Sequence, residues 1–336
     1  MAEPKPRTFK RVCFKLLETC IFASMGVIDN ALRIIGPFFV LFAVTLISGV
    51  IWAWFKYILD TVADPGTPMR YVHITIACTL IFNVAWNYFR TVFVSPGQTP
   101  DEYDQNDIET GVVSKLDPGK FWDGFGRFCK KCRKPKPPRA HHCSICRKCV
   151  LKMDHHCPWV ATCVGHRNYR TFYLFMFWLW TGCVYVMCTM GPAFLSNLHR
   201  KRGQRENGAV VFSFILAFSV SIAVGLLLSW HTYLIATAQT TIEWYNNHMF
   251  KQEARKRGTK WVNQWDIGVI ANFALVLSTG DKPKNFIFWF LPSLDPPQGD
   301  GLSFPLRGHV LKEEEVPMAP LDLQPSNPMV VEGRTE

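Results

Sequence analysis

Residues 34–59 read IIGPFFVLFAVTLISGVIWAWFKYIL, with Lys56 as the single charge. A helix needs about 20 such residues to cross the roughly 30 Å hydrocarbon core of a bilayer. Three further runs are long and apolar enough: residues 71–94, 172–195 and 209–235. A soluble globular enzyme is thereby excluded. The expected class is an all-α polytopic membrane protein with four transmembrane helices. Of the 336 residues 49% are hydrophobic and only 19% charged, and these four runs hold nearly all the long apolar segments. The polar start, Met1-Ala2-Glu3-Pro4-Lys5-Pro6, predicts no secretory leader, which would carry a short apolar core near the N-terminus.

Charge sets the expected orientation. Six Lys and Arg precede the first run, fourteen lie in residues 95–171 and ten follow residue 235, against five in the two alternate loops. The positive-inside bias puts both termini and the central loop in the cytosol, although the cluster Arg200, Lys201, Arg202 and Arg205 opposes it locally. Within the N-terminal segment 1–33, apolar and charged residues at helical spacing over 12–33 predict an amphipathic helix at the interface. Residues 101–120 are acidic and read as a loose linker, and FIFWFL at 286–291 suits an interfacial anchor too short to span. The cytosolic C-terminal region is expected over 236–304, and a disordered Pro-rich, acidic tail over 305–336. No internal repeat stands out.

Seven of the twelve cysteines, Cys129, Cys132, Cys143, Cys146, Cys149, Cys157 and Cys163, fall in the loop between runs two and three. In a reducing compartment such a cluster points to metal rather than disulfides. The spacing gives three C-x2-C pairs, and a C-x2-C turn places two thiolates on one zinc ion. Five histidines accompany them: His141, His142, His155, His156 and His166. Two tetrahedral ions take eight ligands, and six Cys with two His would fill two Cys3His sites and leave one thiol over. Asp154-His155-His156-Cys157 sets a carboxylate and an imidazole beside a thiol, the set a nucleophilic cysteine needs. Spacing alone leaves open whether Cys157 or Cys163 is the spare thiol, and whether all seven are structural.

The stretch from Cys129 to Phe172 resembles the cysteine-rich domain of the DHHC-type protein S-acyltransferases, the palmitoyltransferases, and meets the family pattern at every spacing, Asn168 included. Thr240-Thr241-Ile242-Glu243 after the fourth run matches the family's T-T-x-E motif, and Gly268 and Asn272 look like its C-terminal motif. The resemblance spans roughly residues 30–300; residues 27–33 and 292–304 look most like the Abl-philin branch. It implies one zinc on Cys129, Cys132, His142 and Cys149 and a second on Cys143, Cys146, His156 and Cys163, both structural. Asp154, His155 and Cys157 are then the catalytic set. Three positions depart from the family: Ser95-Pro96-Gly97 for Asp-Pro-Gly, Ala161-Thr162 for Asn-Asn, and Asn272-Phe273-Ala274-Leu275-Val276-Leu277 in the final motif.

The resemblance implies transfer of a long-chain acyl group, palmitate, from acyl-CoA through a Cys157 acyl-enzyme to cysteines of membrane-associated proteins on the cytosolic face. Its partners are acyl-CoA, those proteins and the bilayer. Ten Lys and Arg and no acid lie between Arg127 and Lys152. They read either as ordinary positive-inside bias or as a CoA phosphate site, with Lys134, Lys136 and Arg139 the candidates. Trp159 reads as lining the acyl mouth or as an interfacial anchor. Gly182 falls where the resemblance puts the deep end of the acyl cavity. Thr241 and Glu243 are expected to brace the active site, and Cys13 and Cys20 are placed for acylation. The branch resemblance points to the endoplasmic reticulum and, after it, the Golgi. A competing reading is a non-catalytic, membrane-anchored zinc module that binds protein partners. Nucleic acid is not expected, since the basic residues hug the bilayer and no recognition-helix zinc finger is present.

Overall fold

The computed structural model describes residues 6–100, 128–198, 207–280 and 286–307, with side chains from residue 26 onward. The expected linker at 101–120, the Arg200 to Arg205 cluster, most of the 305–336 tail and the side chains of Cys13 and Cys20 lie outside these. Four helices are long and apolar enough to cross a membrane: residues Gly26–Tyr57 of α1 (Pro6–Tyr57), α3 (Pro68–Phe93), α4 (Tyr169–Leu198, its span ending at Asn197) and α5 (Gly208–Ala236). The four expected runs thus reappear as spans with slightly moved ends. A short helix, α2 (Leu59–Val62), follows α1. The helix of α1 continues unbroken from residue 6 through the first span, with Pro37 inside it.

α4 is the central helix, packed along α3 on one side and α5 on the other. At one end Trp54, Ile58, Ala77, Met190 and Val210 form an apolar cluster. At the other, Tyr88, Tyr169, Phe172, Tyr173, Ile235 and Leu277 close around Cys157, Val160 and Val164 from the cysteine-rich loop. That second cluster seats the loop on the helix ends. Beyond α5 come α6 (Thr241–Lys256) and α7 (Val269–Leu277), followed by a 3-10 turn over Phe286–Phe290. In this turn Phe286 and Ile287 are exposed, whereas Trp289 and Phe290 pack on the second cluster. Arg170 donates to the carbonyls of Trp289 and Leu291 at 3.0 and 2.8 Å, which ties the turn to the start of α4.

Among the described residues, the loop holds three antiparallel hairpins: β1–β2 (Phe128–Cys129, Lys134–Pro135), β3–β4 (His141–Cys143, Lys148–Val150) and β5–β6 (His155–Cys157, Thr162–Val164). They correct the reading that no repeat exists. Cys129, Cys143 and Cys157 recur at a spacing of 14 residues, as do His142 and His156, and Cys149 and Cys163. The register repeats too, with Cys129 opposite Lys134, Cys143 opposite Lys148 and Cys157 opposite Thr162. Each turn passes through a left-handed residue at the same place: Arg133 (φ 55°), Arg147 (φ 57°) and Ala161 (φ 54°). The units are short and share few side chains besides the metal-type residues, so only the backbone makes the periodicity plain.

The segment after α3 locks this module down. Gly97 O accepts from Leu151 N and Pro96 O from Arg167 N, each at 3.1 Å, so Ser95-Pro96-Gly97 docks the module despite its departure from Asp-Pro-Gly. Chain crossing is tightest at Gly165, where a Cβ would come within 2.6 Å of Val150 and 2.9 Å of Leu151 O. Asn168 accepts from Gly165 N and donates to Cys163 O at 2.9 Å and to Thr91 O at 3.3 Å, joining hairpin, α3 and α4 in one buried amide.

Candidate active site and metal centres

The hairpins assemble two sets of metal-type ligands in an interleaved way. Cys129 and Cys132 of the first hairpin meet His142 and Cys149 of the second. Cys143 and Cys146 of the second meet His156 and Cys163 of the third. In the first set His142 Nδ1 lies 3.5, 3.2 and 3.9 Å from the thiols of Cys129, Cys132 and Cys149. In the second His156 Nδ1 lies 3.7, 3.3 and 3.6 Å from those of Cys143, Cys146 and Cys163. A tetrahedral zinc with the usual Zn–S and Zn–N lengths separates neighbouring ligand atoms by about 3.5–3.8 Å. Both sets therefore fit a metal ion, and each is closed by four protein side chains.

Cys157 lies outside both sets. Its place in the third hairpin matches Cys129 and Cys143, but Val160 stands where Cys132 and Cys146 supply the second thiol. The next steps of the repeat fall at Arg170 and Phe177, inside α4, so no fourth hairpin follows. The turn Pro158–Val160 is 3-10, with Val160 1% exposed in the apolar cluster that also buries Cys157. Tyr88 Oη donates to Trp159 O at 2.8 Å, and the Trp159 ring meets Phe39 of α1 edge-on at 5.2 Å. There α1 comes so close that a Cβ on Gly36 would lie 3.0 Å from the Ala161 side chain.

His155 is hydrogen-bonded through Nδ1 to Asp154 Oδ2 at 2.7 Å and lies two residues before Cys157 in the same strand. Burial pulls the imidazole down, but Asp154 and Cys157 outweigh it and hold His155 up at about 9. Asp154 is fully buried. Burial raises its carboxyl, yet the imidazoles of His155 and His231 and the Thr241 backbone N–H keep it below the usual range. Thr241 donates to Asp154 from both its backbone N, 2.9 Å to Oδ1, and its hydroxyl, 2.9 Å to Oδ2. Three hydrogen bonds thus anchor a carboxylate that could not stay ionised alone in such a site.

The sequence-based candidates divide. Arg139 turns inward, away from the expected phosphate contact: its Nε and one Nη meet Glu243 at 2.6 and 2.7 Å, and it donates to Ala238 O at 3.0 Å. Glu243 also accepts from Thr240 N at 2.9 Å in a reciprocal capping box at the start of α6. A buried guanidinium needs such a partner, which a mobile phosphate does not replace. Lys134 and Lys136 stay partly exposed at the first hairpin. An ideal Cβ on Gly182 would meet nothing within 4 Å. Asn272 links α7 back to the end of α5 by donating to Ala236 O at 3.0 Å. Sequence reasoning missed His231 of α5, whose ring lies 5.9 Å from that of His155. An ionisable residue at the end of an apolar span is the signal that points to it.

The family model described as DHHC palmitoyltransferase matches residues 123–248. The chain is 37% identical to probable protein S-acyltransferase 16 of Arabidopsis thaliana over 213 residues, which cover 62% of this chain and 71% of that one. It is 31% identical to palmitoyltransferase ZDHHC15 of Homo sapiens over 295 residues, 80% of this chain and 82% of the relative. To palmitoyltransferase ZDHHC16 of Mus musculus it is 30% identical over 82% of this chain and 76% of the relative, so the Abl-philin branch is among the matches. Likeness that runs through the spans as well as the cysteine-rich module, over most of each relative, shows that this chain belongs to the DHHC palmitoyltransferase family.

Proposed function

We propose that the protein is a protein S-acyltransferase that moves a long-chain acyl group, palmitate, from acyl-CoA through a Cys157 acyl-enzyme to cysteines of membrane-associated proteins. One observation carries the reading. The thiol left out of both metal-type sets is the one beside an Asp154-supported imidazole. Asp154 holds the Nδ1 side of His155 and leaves Nε2 for the thiol. His155 takes the Cys157 proton, the sulfur attacks the thioester carbonyl, and the bond to the CoA sulfur breaks. CoA leaves as a thiol with the proton from His155. A substrate thiol then gives its proton to His155 and attacks the Cys157 thioester, and Cys157 regains a proton as it leaves.

The eight ligands would hold two zinc ions, whose part is structural because neither set keeps an open position. We assign residues 127–172 to this module, 34–94 and 172–235 to the spans, and 236–304 to a C-terminal region that braces the site. Both termini and the module face the cytosol on the charge bias, with the endoplasmic reticulum first and the Golgi next as the host membrane. Lys134 and Lys136 are the candidates for CoA phosphates, and charge reversal at both should raise the KM for acyl-CoA. Trp159 is assigned to the acyl mouth. Keeping a sixteen-carbon chain among the helices retains about 0.8 kcal/mol per buried CH2. The open space at Gly182 suits its far end, so Gly182→Tyr should lower transfer of eighteen-carbon relative to sixteen-carbon chains, and an unchanged ratio removes that assignment.

The deciding experiment is incubation with an alkyne-tagged palmitoyl-CoA. The label should be cleaved by hydroxylamine and absent in Cys157→Ser. A protein that holds two metal ions per chain and takes no label is instead a binding module.

A further inference from the structure

His231 sits near the C-terminal end of α5, 1% exposed, and no step of the proposed reaction uses it. Its ring is one wall of a slot around the His155 imidazole. His155 lies 5.3 Å from the Phe172 ring at 67° and 5.9 Å from His231 at 44°. Phe172 and His231 meet each other edge-on at 5.3 Å, so the three rings form a closed cluster. His231 is itself held from behind, where its Nδ1 shares a 3.0 Å hydrogen bond with the Tyr169 hydroxyl. Tyr169 and Phe172 are one turn apart on α4, so one helix face both walls the slot and clamps its other wall. A second tie between these helices, Tyr173 Oη to Thr232 Oγ1 at 3.0 Å, fixes how α5 lies along α4 at this level.

Asp154 alone does not fix the orientation of His155, because a hydrogen bond to Nδ1 leaves the ring free to swing about that contact. The two aromatic walls remove this freedom. We infer that His231 is a positioning residue: by packing on His155, with its own ring set by Tyr169, it aims the His155 imidazole at Cys157. The inference rests on the reading of Cys157 as the nucleophile. A misplacement of a base by about 1 Å costs on the order of a hundredfold in rate, while ground-state binding of the donor is untouched. This separates positioning from a purely structural role, which would move metal content and donor binding as well.

The test uses the full-length protein in detergent or nanodiscs. His231→Ala should lower kcat for acyl-enzyme formation at least about tenfold, with the KM for palmitoyl-CoA within twofold of wild type and two metal ions per chain retained. Tyr169→Phe should lower kcat by a smaller factor, and the double variant should be no slower than His231→Ala alone, because Tyr169 acts through His231. If the alanine variant fails to fold, His231→Asn keeps a bonding atom for Tyr169 but no ring wall, and should show the same loss. A wild-type kcat in the alanine or asparagine variant, an effect confined to KM, or additive losses in the double variant would overturn the proposal. Alkylation of Cys157 by iodoacetamide, followed by mass spectrometry, provides a readout that needs no acyl transfer. It should slow in the His231 variants, and equal rates would also overturn the proposal. Were wild type to take no acyl label, the functional reading would fail while the alkylation comparison still decided the role of His231.

Discussion

The second and third hairpins of the module share a ten-residue frame, HHCSICRKCV at 141–150 and HHCPWVATCV at 155–164. They pair in the same register and turn through a left-handed residue at the same step. What differs is the partner available to the leading thiol. Cys143 has Cys146 three residues on and, from the next hairpin, His156 and Cys163. Cys157 has Val160 there, no hairpin beyond it, and a position at 8% exposure among aromatic side chains. One thiol is surrounded by metal-type ligands, and the other has only an imidazole backed by a carboxylate. The same backbone frame therefore offers two chemistries, and the missing second cysteine separates them.

The largest predicted effect tests this contrast directly. Cys143→Ser should release one of two metal ions and unfold the module, since a structural zinc contributes on the order of 10 kcal/mol to folding. Cys157→Ser should keep both ions and the thermal midpoint while losing the acyl label. Elemental analysis beside a melting curve distinguishes the two, and equal metal loss in both variants would erase the contrast. Next comes the clasp between the module and α6. Arg139→Met leaves the Glu243 carboxylate, 7% exposed in its side chain, without its cation, which should cost about 3–5 kcal/mol. The double variant Arg139→Met with Glu243→Leu should regain part of that loss.

A smaller effect is expected from restoring the motif. Val160→Cys rebuilds C-x2-C in the third hairpin, yet the repeat positions that would complete a third set are Arg170 and Phe177. Metal content should stay at two ions per chain, with a stability change below about 1.5 kcal/mol for so conservative a buried exchange. A third bound ion would show that the missing cysteine alone kept Cys157 metal-free. The smallest effect concerns the left-handed turn residue. Ala161, at φ 54°, bears a steric penalty that glycine does not, so Ala161→Gly should stabilise the protein by about 1 kcal/mol, read as a raised melting temperature. A lowered melting temperature would mean that the Ala161 contact with Gly36 outweighs the backbone strain.

Much of the fold and the inventory of the site was legible in residue order. The four spans, the two Cys3His compositions and the Asp154–His155–Cys157 set are local properties: an apolar run of sufficient length, a turn that pairs two thiols, an acid and a base beside a cysteine. The choice between Cys157 and Cys163 was not local. Residue order alone fits either thiol, and the distinction lies in the hairpins, each of which shares a ligand set with the next. Basic neighbours in sequence make Arg139 a candidate for CoA phosphates, and it turns inward because Glu243, 104 residues later, caps a helix at that spot. Asp154 is held by Thr241, 87 residues away, and His231 is clamped by Tyr169, 62 residues before it.

Hydropathy and cysteine spacing thus determine that this chain has four runs able to span a membrane and a loop with enough thiols and imidazoles for two metal-type ligand sets. That a thiol is spare and which one it is, what holds its base in line and where the buried guanidinium finds its counter-charge were decided only by tertiary packing. Local motifs specify which groups are present. Contacts across tens of residues set their distances, their burial and therefore their chemistry.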